Sequence, residues 1–132
     1  MKKILVVDDE KDFREMLAEI VRSQEIPGTS LDVQEASNGE AALQLMGEES
    51  FDLVFLDLTM PRTNGLAVIS RLRDASGPNQ SVPIIVISGY LRSVDCGVGE
   101  DAFEDVYFVR KPLDEDRIAR LLLMQFAGKR AS

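Results

Sequence analysis

Lys2-Lys3-Ile4-Leu5-Val6-Val7-Asp8-Asp9 sets four consecutive apolar residues against two carboxylates. An unbroken apolar run of this length reads as a strand buried on both faces, the kind found at the centre of a parallel sheet. The same arrangement returns three times. Leu53-Val54-Phe55-Leu56 is closed by Asp57, Pro83-Ile84-Ile85-Val86-Ile87 by Ser88, and Val106-Tyr107-Phe108-Val109 by Arg110 and then Lys111-Pro112. In a parallel sheet all strand ends lie along one edge, so these groups converge at the crevice where open α/β sheets bind ligands.

Between the runs the apolar spacing becomes helical, so strand and helix alternate in five pairs, the pattern of βαβ units. Phe13, Met16, Leu17, Ile20 and Val21 form one stripe on a first helix that ends before Ile26-Pro27-Gly28. Leu31-Asp32-Val33-Gln34-Glu35-Ala36 alternates loosely, as an edge strand with one wet face does. Ser37-Asn38-Gly39 opens a second helix over residues 40–46. A third helix runs from Gly65 to residue 75 around Leu66, Ile69 and Leu72, and Ser76-Gly77-Pro78-Asn79 breaks it. The fifth strand covers residues 106–110, and a last helix over residues 114–126 turns Ile118, Leu121 and Leu122 inward. Leu121-Leu122-Leu123-Met124 with Phe126 makes an apolar band wider than one inward stripe requires, mostly core, with Leu123 or Phe126 left to face a partner. The helix expected between Tyr90 and Glu104 carries Gly97 and Gly99, each costing about 1 kcal/mol against alanine, so it should be short or irregular.

A chain of 132 residues, 45% hydrophobic, suits one domain with its own core. The lone Cys96 forms no internal disulfide, and with no signal peptide or long apolar span in view a reducing cytoplasm is the expected setting, away from membranes. A net charge of −8 disfavours direct nucleic-acid binding and favours cations. With no histidine, His-based acid–base chemistry, His-ligated metals and phosphohistidine within this domain are excluded. Carboxylate chemistry remains. Three carboxylates on one edge repel unless neutralised, and Mg²⁺, which prefers oxygen ligands and binds one or two carboxylates plus phosphate, suits Asp8, Asp9 and Asp57.

Taken together, Asp8-Asp9, Asp57-Leu58-Thr59-Met60-Pro61 with Gly65, Ser88-Gly89 and Lys111-Pro112 resemble the receiver domains of two-component response regulators. The resemblance spans about residues 2–127 and implies a doubly wound, flavodoxin-like five-stranded sheet in the order 2-1-3-4-5. It gives a domain over residues 1–127, with 128–132 a tail or the start of a linker. It implies that Asp57 is the phosphoacceptor, that the Thr59 main-chain carbonyl joins Asp8, Asp9 and Asp57 as a Mg²⁺ ligand, and that Lys111 and Ser88 contact the phosphoryl group. It also implies a cis Lys111–Pro112 bond and a conformational switch through Ser88 and an aromatic placed at Phe108, with Tyr107 and Tyr90 as competing candidates. Such a domain is a regulatory phosphoacceptor, not an enzyme, although it assists its own phosphorylation and dephosphorylation. Its partners are a sensor histidine kinase or phosphotransfer protein and a downstream effector. The face made by the helix after the fourth strand, the fifth strand and the last helix would signal, and a homodimer through it is compatible with the resemblance.

Other readings fit less of the sequence. An aspartyl-phosphate phosphatase resembles Asp-x-Asp after the first strand, which Asp8-Asp9-Glu10 lacks; a nucleotide or flavin binder needs a glycine-rich turn there, and Gly97-Val98-Gly99 lies elsewhere. A degenerate receiver acting as a phosphorylation-independent interaction module is the alternative within the same fold.

Overall fold

The structure is a computed structural model that describes residues 1–57, 65–74, 77, 79–88, 106–110 and 114–126, with only the backbone described for 65, 66, 88, 108 and 110. Five strands, β1 (Lys2–Val7), β2 (Leu31–Ala36), β3 (Leu53–Asp57), β4 (Ile84–Ser88) and β5 (Val106–Arg110), form one sheet. All pairings are parallel, in the order β2-β1-β3-β4-β5. Helices α1 (Lys11–Ser23), α2 (Gly39–Glu48), α3 (Gly65–Asp74) and α4 (Glu115–Phe126) accompany it. The expected glycine-bearing helix between Tyr90 and Glu104, with Cys96, lies outside the described residues, as do residues 127–132.

Alternation along the buried strands divides the core in two. Leu5, Val7, Val54, Leu56, Ile84 and Val86 pack with Ala42, Met46, Val68, Ile69 and Leu72 of α2 and α3. On the opposite face Ile4, Val6, Leu53, Phe55, Ile85 and Ile87 pack with Leu17, Ala18 and Val21 of α1 and Ile118 and Leu122 of α4. Each fully buried aliphatic side chain contributes about 1.5–3 kcal/mol, enough to fix the register that aligns the strand ends. Among the described residues no helix is long and apolar enough to cross a membrane.

Two sequence expectations are corrected. Met16 is 40% exposed, and Ala18 takes its place in the core. Successive helical residues are about 100° apart, so an arc centred on Leu17, Val21 and Ala18 leaves Met16 on the far side of Leu17. The second concerns β2, an edge strand whose expected wet face is only partly exposed: Val33 joins one core and Ala36 the other, and Asp32 and Gln34 are half-buried. Two of its three polar side chains have partners, Gln34 donating to Glu49 at 3.0 Å and Glu35 meeting Arg14 and Arg22.

Local chemistry sets the remaining boundaries. Asn38 caps α2, its Oδ1 accepting from the Ala41 N–H at 2.7 Å. At Ile26-Pro27-Gly28-Thr29 the Thr29 N–H donates to the Ile26 carbonyl at 3.0 Å, and Gly28 takes φ 75°, the left-handed conformation a type II turn needs after proline. Asn79, read from sequence only as part of a helix-breaking loop, is buried. Its Oδ1 accepts from Phe51 N–H at 2.7 Å and its Nδ2 donates to the Met46 and Glu49 carbonyls, so it closes the end of α2. Lys3 and Glu49 pair at 2.6 Å near the start of β1. Hydrogen bonds from Lys3 and then Gln34 hold the Glu49 carboxyl below its ordinary value, and the bond to Glu49 raises the Lys3 ammonium.

Asn79→Ala should cost about 2–3 kcal/mol, seen as a lower urea midpoint at unchanged slope, because it strands a buried N–H. Unchanged stability would contradict that role. Because the Glu49 pKa is depressed on folding, its stabilisation is present above the unfolded carboxylate value and is lost as pH falls through the depressed one. Lys3→Met should therefore be less stable than wild type at neutral pH, with the gap closing in acid. A gap independent of pH would refute the pairing.

Candidate functional site

Register carries two distant aspartates to one point. Val7 pairs with Leu56, so the residues that follow, Asp8 and Asp57, stand side by side where β1 and β3 reach the sheet edge. The Asp8 N–H extends the β1–β2 ladder one step by donating to the Ala36 carbonyl at 3.1 Å. Its Oδ1 accepts from the Glu10 N–H at 2.9 Å, turning the chain towards α1. Asp8 and Asp57 are only 2% and 5% exposed, whereas Asp9 faces solvent.

One carboxylate oxygen from each of Asp8, Asp9 and Asp57 lies within 4.8 Å of the other two. At that separation and an effective dielectric near 20, like charges repel by about 3–4 kcal/mol. The donors are all hard oxygens, two of them buried and one open to water. That set fits Mg²⁺, which binds few carboxylates and keeps several waters, and does not fit zinc. It is an acidic aspartate triad of the kind a Mg²⁺-binding receiver site uses.

Sequence reading passed over a cation beside this cluster. Arg14 of α1 donates from Nη1 to the Asp8 carbonyl at 3.0 Å and from Nε to Glu35 Oε1 at 3.2 Å. The missed signal was helical spacing. Arg14 precedes Leu17, Ala18 and Val21 by three, four and seven residues, so a charged group lies within the buried arc, where it needs a partner.

The other expected site residues are located in part. Asp57 pairs with Ile87 and Ser88 with Arg110, which puts the Ser88 backbone on the same edge one residue beyond Asp57's partner. Phe108 pairs with Val86. The side chains of Ser88 and Phe108, and Thr59, Lys111 and Pro112 entirely, lie outside the described residues.

The family model described as the response regulator receiver domain matches residues 4–123. An uncharacterized response regulatory protein of Yersinia pestis is 36% identical over 122 residues, covering 92% of this chain and 47% of its own length. The response regulator ArlR of Staphylococcus saprophyticus is 33% identical over 125 residues, covering 94% and 52% respectively. The chain thus spans about half the length of the curated relatives it matches. Among solved structures, the chemotaxis response regulator CheY4 of Vibrio cholerae shares the fold with a TM-score of 0.80 at 21% identity, over 96% of this chain and 99% of its own. The response regulator TrrA of Thermotoga maritima, solved in complex with Mg²⁺-BeF, is 29% identical with a TM-score of 0.74, over 96% of this chain and all of its own. Sheet order, acidic pocket and family match agree: this chain belongs to the response regulator receiver domains of two-component signalling, regulatory phosphoacceptors whose chemistry is Mg²⁺-dependent phosphorylation on aspartate.

Proposed function

We propose that Asp57 is the residue phosphorylated and that Asp8, Asp9 and Asp57, with the Thr59 main-chain carbonyl, hold the Mg²⁺ this requires. The observation that carries the reading is the buried Asp57 carboxylate at the end of central β3, its oxygen within 4.8 Å of those of Asp8 and Asp9. A carboxylate oxygen of Asp57 attacks phosphorus of a phosphohistidine or a small phosphodonor. A new O–P bond forms, the bond to the leaving group breaks, and the leaving group keeps its electron pair and takes a proton from solvent. Bound Mg²⁺ supplies positive charge at the phosphoryl oxygens. Lys111 gives an ammonium to those oxygens and Ser88 a hydroxyl hydrogen bond.

Phosphorylation adds about −1.5 to −2 charges and three strong acceptors at the sheet edge. Ser88 responds first in this reading, and Phe108, paired two residues back along β4, follows. The exposed Tyr107 of β5 and Leu123 and Met124 of α4 then form part of the surface that an effector or a second copy of the chain recognises. A sensor histidine kinase or phosphotransfer protein supplies the phosphoryl group in the cytoplasm. The domain extends over residues 1–127, and 128–132 begin a tail or linker.

Incubation with a small phosphodonor and Mg²⁺ should add one phosphoryl group by intact mass. Asp57→Asn should abolish the adduct, and Asp9→Asn should raise the Mg²⁺ requirement by about tenfold or more. An adduct that persists in Asp57→Asn would overturn the assignment, and none with any donor would favour a phosphorylation-independent interaction module. Without metal, Asp57→Asn should unfold about 3–10 °C above wild type, since it removes one of three mutually repelling charges. A lower midpoint in calorimetry would show that Asp57's other contacts outweigh repulsion.

A further inference from the structure

We infer that Arg14 is a positioning residue for the metal site, holding the peptide between Asp8 and Asp9 so that the exposed Asp9 carboxylate faces the two buried ones. This rests on the metal-site reading above and deepens it. Asp8 has its own anchors: its N–H is bound to Ala36 and its Oδ1 to Glu10. Asp9 forms no side-chain hydrogen bond or ion pair with a described residue, and its direction depends on the backbone that carries it. The peptide unit is planar, so fixing the Asp8 carbonyl fixes the plane from which Asp9 leaves. Arg14 Nη1 binds that carbonyl at 3.0 Å.

Arg14 is itself held. Its Nε donates to Glu35 Oε1 at 3.2 Å, and its side chain is 15% exposed, that of Glu35 25%. Glu35 pairs with Val6 through the β1–β2 register, so the brace runs from the edge strand through α1 to the turn after β1. Arg22 shares Glu35 at 3.5 Å and donates to the Val33 carbonyl at 3.0 Å, with no hydrogen bond to Asp8. It is a natural control.

Charge and geometry predict opposite signs. A guanidinium beside a divalent site repels the incoming cation, so if Arg14 acted through its charge alone, Arg14→Gln would tighten Mg²⁺ binding and Arg14→Lys would leave it unchanged. If Arg14 positions Asp9, both lose the planar fork that binds carbonyl and carboxylate together, and both weaken binding.

Calorimetric Mg²⁺ titration of the unphosphorylated protein should show about tenfold weaker binding in Arg14→Gln and Arg14→Ala, a smaller loss in Arg14→Lys, and wild-type affinity in Arg22→Gln. Urea unfolding without metal should show Arg14→Gln and Arg22→Gln both destabilised, separating folding from positioning. Unchanged or tighter binding in the folded Arg14 variants overturns the inference while leaving the metal site standing. Loss of binding in Arg22→Gln as well reduces Arg14 to general support and overturns it too. A wild-type protein that binds no Mg²⁺ refutes the site reading itself, and this inference with it.

Discussion

Parallel pairing forces every strand to end on the same edge, and on that edge three carboxylates are held within 4.8 Å. Mutual repulsion works against this. Each pair repels by about 3–4 kcal/mol at an effective dielectric near 20, and burial of Asp8 and Asp57 adds to the cost. The arrangement stands because register is decided elsewhere, by two apolar layers that would be turned inside out if any central strand slipped by one residue. A site that is uncomfortable when metal-free is one that a cation and then a phosphoryl group can bias strongly.

The opposite end of the sheet is built differently. The Lys3 main chain is tied to Asp52 twice, the Asp52 N–H donating to the Lys3 carbonyl at 2.7 Å and the Lys3 N–H to the side-chain Asp52 Oδ2 at 2.8 Å. Glu49 receives Lys3 and Gln34, and Asn79 closes α2. Opposite charges meet there, and buried amides find partners. The polar contacts described at the strand starts brace the frame, and the chemistry lies at the strand ends.

How far this was legible depended on the kind of information. Continuous apolar runs ended by Asp8, Asp57 and Ser88 identified the central strands, because a segment buried on both faces has no polar alternation to disguise it. The convergence of Asp8, Asp9 and Asp57 followed from parallel pairing. What was not legible depends on long-range partners. Asn79 looked like a loop residue because its three bonds go to residues about thirty positions away. The wet face assigned to β2 is only partly wet because Gln34 on it reaches Glu49, while Arg14 and Arg22 meet Glu35 on the other face. Met16 was placed in the core because a five-residue stripe fits a helix in more than one rotation, and small Ala18 carried little weight beside it.

That misplaced rotation also hid Arg14, and the two errors are one. With Met16 inward, Arg14 lies towards the rim of the helix, where a charged residue needs no explanation. With Ala18 inward, Arg14 falls between Leu17 and Ala18 on the face turned to the sheet, and its charge needs Glu35 and the Asp8 carbonyl. A half-buried cation four residues before a buried alanine thus reports on the carboxylate turn that precedes the helix. The helix is oriented by its apolar side chains, and that orientation delivers a guanidinium to the one peptide that carries both Asp8 and Asp9.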